Sequence, residues 1–384
     1  MARCTLRSAF LLIAALALLS SVVPQRVMAA GRREAERDPG LVPLYTVYDP
    51  LRIGVAVTRP YLQPTNIHHD LLDNFNSFVL GNEMKMDAIQ PTEGQFNFTA
   101  GDELIRFAAE RGATVRGHTL LWHSQYPRWF FVDQVDGDDT GDAAGNGTNV
   151  AAQQVSREVL LQRIEDHVTT VVSHFRGQVD YWDVVNEVVG DDGGLRDSPY
   201  FQIVGSDEFI RVAFQAAHRA DPDAQLFIND YNVSQAGPKQ DALYNLVRDL
   251  RADGVPIDGV GLQCHINLQS PPLLEILEAI DRFASLGVDV HVTELDVSVY
   301  SSNNESQREP DAELLEQQAA RYRGLFQVFR READRGNLQL VTLWGVADDD
   351  TWLNGRFAPG RIDYPLLFDQ DLNPKPAYRA ITEP

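Results

Sequence analysis

The amino-acid sequence predicts an α/β protein that folds as a single (β/α)8 barrel. Eight short apolar segments with strand-like composition recur along the 384 residues, and segments with helical spacing lie between them. Several strand segments are apolar on both faces, which is typical of strands in a buried parallel sheet. Repeated strand–helix alternation therefore favours a closed barrel. A doubly wound sheet is the alternative, but no G-x-G-x-x-G follows the first strand and no P-loop occurs.

The predicted strands are short apolar runs, several of which end in polar residues. They cover residues 51–57, 78–80, 114–119, 179–187, 225–231, 259–265, 288–297 and 339–346. One run, Y-W-D-V-V-N-E at 181–187, ends in Asn186 and Glu187, and V-H-V-T-E-L-D at 290–296 carries Glu294 in a similar position. Chemistry in barrels lies at the ends of buried strands. We therefore predict that Glu187 and Glu294 face one cleft as an acid/base and a nucleophile.

The helices predicted between these strands cover residues 100–111, 157–175, 207–220, 238–252, 272–286 and 312–334. Thr99, followed three residues later by Asp102, is a capping signal for the first of them. The second helix carries a stripe of apolar residues that should face the barrel. This stripe consists of Leu160, Ile164, Val168, Val171 and Phe175.

The N-terminus has the pattern of a secretory signal peptide over residues 1–30. Arg3 and Arg7 precede an apolar run over residues 9–19, and small residues before Ala29 and Ala30 offer a cleavage site. The apolar run is too short to favour a membrane anchor. Residues 31–46 are predicted to be a flexible leader, and residues 47–384 to be the catalytic domain. The mature protein is expected to be secreted.

A polar insertion over residues 133–149 follows the third predicted strand, on the barrel face where active sites lie. The spacing of Asp136, Asp138, Thr140 and Gly141 weakly resembles a calcium-binding loop. Gly147 stands where such a loop needs its last carboxylate, so a solvated insertion is favoured.

The sequence is acidic, with a formal charge of −22. Loss of the signal peptide leaves 30 basic residues against 55 acidic ones, which argues against nucleic acid and anionic membranes as partners. It also disfavours strongly acidic polymers as substrates. Cys4 departs with the signal, so Cys264 can form no internal disulfide. Neighbours on a strand point to opposite faces, so Cys264 is predicted to be a small buried residue rather than a nucleophile paired with His265.

Further polar and aromatic residues gather at the other strand ends, and they suit carbohydrate chemistry. Amides and imidazoles can bind hydroxyl groups, indole faces can stack on sugar rings, and two carboxylates can hydrolyse a glycosidic bond. The histidines are scattered and no H-E-x-x-H or G-x-S-x-G is present, so we expect neither a metal nor another cofactor.

The sequence resembles glycoside hydrolase family 10, the endo-1,4-β-xylanases, over about residues 45–382. The matching runs stand in the family's order. They are G-N-E-M-K at 81–85, R-G-H-T-L-L-W-H-S-Q at 116–125, W-D-V-V-N-E at 182–187, N-D-Y-N at 229–232, G-V-P-I-D-G-V-G-L-Q-C-H at 254–265, T-E-L-D at 293–296, W-G-V-A-D at 344–348 and N-P-K-P-A-Y at 373–378.

The resemblance implies a (β/α)8 barrel and a retaining mechanism, with Glu187 as acid/base and Glu294 as nucleophile. It implies that Asn186 hydrogen-bonds the nucleophile and the sugar 2-hydroxyl, and that Asp296 orients His265 against Glu294. The sugar sites on the non-reducing side would be formed by Asn82, Glu83, Lys85, His118, Trp122 and Gln125. Gln263, Trp344 and Trp352 would close the central subsite, and Tyr231 would stack on the leaving-group side.

Burial and the nearby charge of Glu294 are expected to raise the pKa of Glu187 so that it can act as an acid. The implied partner is xylan or a xylo-oligosaccharide, and the protein is expected to be a monomer. One alternative is a related retaining β-glycanase that acts on mixed or other β-linked glycans. Another is a glycan-binding protein without catalytic activity.

Overall fold

The computed structural model describes residues 41–133, 153–302 and 304–383. The predicted signal peptide, residues 31–40 of the predicted leader, and nearly all of the polar insertion lie outside the described residues. Leu44–Tyr48 form a first helix, α1, in which Leu44 and Tyr48 are buried. The hydroxyl group of Tyr48 donates to the carbonyl of Ile381. The packed part of the chain therefore begins before residue 47.

Ten strands form one sheet in the described residues, and all of their pairings are parallel. They are β1 (Arg52–Val57), β2 (Ser77–Leu80), β3 (Thr114–Gly117), β4 (Leu121–Trp122), β5 (Tyr181–Asn186), β6 (Gln225–Asp230), β7 (Gly259–Leu262), β8 (His265–Asn267), β9 (Asp289–Ser298) and β10 (Leu340–Leu343). Eight of them close into a barrel in the order β1-β2-β3-β5-β6-β7-β9-β10, with β10 pairing back to β1. The short strands β4 and β8 follow β3 and β7 in the chain and pair with β5 and β9. The predicted fold class is confirmed.

Helices lie between the barrel strands, as the sequence predicts. After α1 they are α2 (Met86–Ile89), α3 (Thr99–Arg111), α4 (Arg157–His174), α5 (Pro199–Val204), α6 (Glu208–Ala220), α7 (Pro238–Ala252), α8 (Leu273–Ala284), α9 (Ala312–Asp334) and α10 (Pro376–Thr382). No helix within residues 41–133, 153–302 and 304–383 has the length and apolar composition required to span a membrane.

The N-terminal caps of α3 and α4 differ in how well the local sequence predicts them. The stripe of α4 is buried along its whole length, and the Ser156 hydroxyl caps its N-terminus by accepting from the Val159 amide. The capping prediction for Thr99 is wrong. Thr99 is already the first helical residue, and its own amide donates to the side chain of Asn97.

Two predicted strands end earlier than their apolar pattern suggests, because the backbone turns into a left-handed conformation. Glu187 follows the last residue of β5 at φ 57°, and Cys264 lies between β7 and β8 at φ 58°. Non-glycine residues in this region are uncommon and cluster at functional sites. Both turns lie at the carboxyl ends of barrel strands, where they redirect the chain into the cleft described below.

The barrel interior beneath that cleft contains a buried charged cluster. Arg116 on β3 pairs with Asp183 on β5, and Asp183 also bonds Nδ1 of His118 at 2.9 Å. Burial alone would raise the pKa of Asp183, but Arg116 and His118 bring it below its ordinary value. Gly117 is required beside this cluster because a Cβ there would lie 2.2 Å from the ring of Trp182. The chain thus anchors His118 from below before it reaches the cleft.

Candidate active site

A cleft of about 1060 Å³ opens at the carboxyl ends of the barrel strands. It contains the two predicted catalytic carboxylates and most of the predicted sugar-binding residues. The predicted residues that line it are Asn82, Lys85, His118, Trp122, Gln125, Asn186, Glu187, Tyr231, Gln263, His265, Glu294, Asp296, Trp344 and Trp352. Residues from strands far apart in sequence therefore meet on one surface.

Side-chain amides link Glu187 to Glu294 across the cleft floor. Gln263 Nε2 donates to Glu187 Oε1 at 3.1 Å and to Asn186 Oδ1 at 3.3 Å. Asn229 Nδ2 donates to the same oxygen of Asn186 at 2.8 Å and to Glu294 Oε1 at 2.7 Å. Three amides from β5, β6 and the end of β7 thus connect the two carboxylates.

The predicted hydrogen bond between Asn186 and Glu294 is replaced by one from Asn229. Asn186 uses its side-chain oxygen to accept from two amides, which leaves its NH2 group as the part able to donate to a substrate hydroxyl. Asn229 is fully buried, and Thr293 fixes its amide orientation by donating to its oxygen at 2.6 Å. Sequence reasoning left Asn229 out of the site, although its position at the end of a polar-tailed strand was a usable signal.

Glu294 lies on β9 and is 5% exposed. Its second oxygen lies 3.2 Å from Nε2 of His265, whose Nδ1 lies 2.8 Å from Asp296 Oδ2. Burial lowers the pKa of His265, but the charges and hydrogen bonds of Asp296 and Glu294 outweigh burial and raise it to about 10. An imidazolium cation therefore lies between the two carboxylates. Trp352 Nε1 donates to the same oxygen of Asp296 at 2.7 Å and so joins this cluster.

The pKa of Glu187 is shifted in the direction opposite to our expectation. Burial raises it, but the hydrogen bonds from His123 and Gln263, together with the nearby Trp122 indole N–H, outweigh burial and lower the pKa to about 2. His123 Nε2 lies 2.9 Å from Glu187 Oε2. The expectation from the sequence was wrong because it counted the neighbouring carboxylate and burial but not these donors.

One end of the cleft is built around Lys85. Its ammonium group donates to Gln125 at 2.7 Å and to Asn82 at 3.0 Å, and lies 4.6 Å from the ring centre of Trp122. Burial lowers the pKa of Lys85. Glu83 does not line the cleft with these residues. Its carboxylate accepts from the backbone amide of Arg59 at 2.7 Å and fixes the loop after β1 instead.

Aromatic rings form the wall beside Glu294. Trp344 packs edge-on against His118 with ring centres 5.2 Å apart, and edge-on against His265 at 6.3 Å. Trp352 packs against His265 at 4.8 Å and is 36% exposed. An exposed indole face anchored by its N–H is suited to contact an apolar sugar face.

Tyr231 stands at the end of the cleft beyond Glu187. Its ring lies beneath the ammonium group of Lys239, and its hydroxyl group contacts Arg196. Lys239 pairs with Asp230, whose pKa is raised by burial to about 6 although Lys239 opposes that effect. Sequence reasoning identified Tyr231 and missed Arg196 and Lys239, because neither shares a motif with a catalytic residue.

Cys264 takes no part in this cluster. It is buried, and burial raises the pKa of its thiol to about 12, so it is not a reactive thiolate. His265, its neighbour, points instead to Glu294 and Asp296. The cleft therefore brings the carboxylates of Glu187 and Glu294 together with the His265 cation and several amides, a set able to carry out acid/base and nucleophilic chemistry on a hydroxyl-rich substrate.

Comparisons with known proteins agree on a single family. The family model described as glycosyl hydrolase family 10 matches residues 43–384. The endo-1,4-β-xylanase C of Paenibacillus barcinonensis is 45% identical over 344 residues, which are 86% of this chain and 30% of that protein. This chain thus spans less than a third of that relative's length.

Solved structures are similar across most of the chain. A family 10 structure from Paenibacillus barcinonensis superposes with a TM-score of 0.81 at 44% identity, covering 87% of this chain and 94% of the other. A variant of an intracellular xylanase from Thermoanaerobacterium saccharolyticum, solved with xylotetraose, gives a TM-score of 0.77 at 40% identity, covering 89% of this chain and 98% of that one.

We expect the His265 cluster to make stability fall with rising pH. The folded protein keeps the His265 proton up to about pH 10, whereas the unfolded chain releases it above about pH 6.5. The stabilisation is fully present below pH ~6.5 and is lost as the pH rises towards 10, by up to about 1.4 kcal/mol for each pH unit. Chemical denaturation of His265→Gln between pH 6 and 10 should show a flatter decline than the parent.

The matched control is His218→Gln, at an exposed position on α6, which should keep the parental decline. An equally steep decline in His265→Gln would show that His265 does not hold its proton in this cluster.

Proposed function

This chain belongs to glycosyl hydrolase family 10, and from that membership we propose that it is an endo-1,4-β-xylanase that cleaves internal bonds of xylan with retention of anomeric configuration. The observation that carries the proposal is the pair of carboxylates, the partly buried Glu187 and the buried Glu294, joined by amides within one cleft. Retaining glycosidases need two carboxyl groups close enough to serve one anomeric carbon from opposite sides.

Glu294 is the nucleophile. Its carboxylate attacks the anomeric carbon, the bond to the leaving oxygen breaks, and Glu187 gives that oxygen a proton. A water molecule then attacks the same carbon while Glu187 takes up its proton, and the bond to Glu294 breaks. Each step inverts the configuration, so the two together retain it.

The surroundings support this division of roles. Glu294 lies inside β9, where its carboxylate accepts a hydrogen bond from Asn229 and faces the His265 cation. The same cation stabilises the carboxylate when it departs in the second step. Glu187 lies just beyond the end of β5 and lines the same cleft, which suits a group that gives a proton to the leaving oxygen.

As an acid, Glu187 needs a proton that its donors disfavour in the empty cleft. Protonation turns one carboxylate oxygen of Glu187 from an acceptor into a donor. The hydrogen bond from His123 must therefore be given up or reversed when a glycosidic oxygen arrives. His123 therefore controls how readily Glu187 becomes an acid.

Substitution of Glu294 by alanine should reduce release of reducing sugar from xylan by about a thousandfold or more, because no covalent intermediate can form. Added azide should occupy the vacated position and attack an aryl β-xylobioside, giving the α-xylobiosyl azide. Assays on xylan and on mixed-linkage β-glucan, with NMR of the azide product, measure activity, specificity and stereochemistry together.

The control is Glu278→Ala, at an exposed position on α8, which should retain parental activity. Parental rates on xylan with Glu294→Ala would falsify the nucleophile assignment. Preferential cleavage of β-glucan by the parent would instead identify a glucan hydrolase.

Substitution of His123 by alanine should raise the pKa of Glu187, because it removes the donor that most lowers it. The acid must be protonated, so activity is lost as the pH rises through this pKa. The alkaline limb of kcat/KM for xylo-oligosaccharides should therefore move to higher pH. His174→Ala, on α4 and bonded to Asp102, serves as control and should leave the limb in place. An alkaline limb of kcat/KM that is unchanged or moves to lower pH in His123→Ala would contradict this role.

We also propose that the protein is secreted after removal of residues 1–30, on the basis of the N-terminal charge and apolar pattern. The host, expressing the full chain, should release a protein whose N-terminus begins near Gly31. Mass spectrometry of the culture medium and of the cell lysate distinguishes this from an intracellular enzyme, which would keep its N-terminus and stay in the lysate.

A further inference from the structure

The Tyr231 ring is fixed on three sides by charged residues. Arg196 Nη2 donates to its hydroxyl oxygen at 2.9 Å, and the hydroxyl group donates to Asp191 at 3.3 Å. The ammonium nitrogen of Lys239 lies 3.1 Å from the ring centre, over one face. Because that face and the hydroxyl group are occupied, the opposite face is the one available to a sugar.

We propose that Arg196 and Lys239 are positioning residues for the leaving group, which hold the Tyr231 ring in a fixed place relative to Glu187. This proposal rests on the proposed function, because it needs a sugar on Tyr231 that departs when the bond at Glu187 breaks. It adds to that function two residues that touch neither the anomeric carbon nor the carboxylate of Glu187.

Lys239 is built into the fold rather than placed on the surface. Its side chain is 5% exposed, and its ammonium group pairs with Asp230 at 2.9 Å and Asp191 at 3.1 Å. Asp230 is fully buried and also accepts from the backbone amide of Val189 at 3.1 Å. A cation held by a buried carboxylate keeps its place over the ring at little further entropic cost.

Arg196 joins this assembly to the backbone of the acid/base. Its Nε donates to the carbonyl oxygen of Glu187 at 2.6 Å, while the Glu187 amide donates to the carbonyl of Asn229 at 2.8 Å. Glu187 has the left-handed backbone that places its side chain in the cleft. One guanidinium group therefore contacts both the residue that gives the proton and the ring that carries the sugar receiving it.

The consequence is specific to sugar leaving groups. A departing sugar needs its oxygen aligned with the proton of Glu187, and a small misplacement slows that transfer. A nitrophenolate leaves without a proton, so neither the Tyr231 ring nor the alignment of the leaving oxygen with Glu187 limits the rate. The contribution of Arg196 and Lys239 should then appear as a difference between two substrates that share the same glycone.

The experiment compares xylotriose labelled at its reducing end with p-nitrophenyl β-xylobioside. Release of labelled xylose and of nitrophenolate both leave a xylobiosyl unit on the enzyme, so only the leaving group differs. Lys239→Met should lower kcat/KM at least tenfold for labelled xylose release and less than threefold for nitrophenolate release. Arg196→Lys, which keeps the charge but loses the fork that spans both contacts, should show the same selective loss.

Lys85→Met is the matched control. Lys85 is likewise a buried lysine beside an aromatic ring, but it lies on the side of the cleft that both substrates occupy. Its substitution should lower both rates by a similar factor. Equal losses on both substrates with Lys239→Met, or no loss on either, would overturn the proposal. A parent that cleaves neither substrate would refute the proposed function itself.

Loss of Lys239 leaves Asp230 buried without its cation, so Lys239→Met can fail to fold. Tyr231→Phe then decides the matter, because it keeps the ring and removes only the contacts to Arg196 and Asp191. It should lower labelled xylose release at least threefold more than nitrophenolate release. An unchanged ratio between the two substrates in Tyr231→Phe would overturn the proposal.

Discussion

Two carboxylates in one cleft would repel each other, and the structure depends on the separate hydrogen-bond donors that surround each of them. Glu294 accepts a hydrogen bond from the Asn229 amide and faces the His265 cation, while Glu187 accepts hydrogen bonds from Gln263 and His123. Because burial strengthens both repulsion and hydrogen bonding, neither carboxylate could lie there without these partners. The donors come from different strands, so closure of the barrel is what makes the pair possible.

The two carboxylates also differ in the backbone conformation that presents them. Glu294 lies inside β9, and its amide donates to the carbonyl of Gln263 at 3.0 Å. Glu187 follows the end of β5 in a left-handed conformation. A covalent nucleophile benefits from a fixed position, whereas a group that first gives and then takes a proton must change partners during the reaction. The backbone difference suits that division of roles.

A buried lysine lies beside an aromatic ring at each end of the cleft. Lys85 with Trp122 lies on one side of the carboxylates and Lys239 with Tyr231 on the other. The chain has a formal charge of −22 and only three lysines, all of which are buried, and these two lie beside aromatic rings of the cleft. Each binds oxygen atoms of its own surroundings, so it fixes the ring without attracting anionic ligands from solution.

The sequence by itself determined the fold class, the order of strands and helices, and the identity of the two carboxylates, because these follow from short-range periodicity and from motifs within single segments. The stripe of α4 and the bounds of α7 and α9 were predictable for this reason.

Only the tertiary structure decided what each polar group contacts. The pKa of Glu187 was misjudged because His123 and Gln263 reach it from other strands, and Glu83 turns to Arg59 rather than into the cleft. Asn229, rather than Asn186, donates to Glu294 for the same reason. Hydrogen bonds extend only about 3 Å, so their partners are fixed by the packing of segments that are distant in sequence.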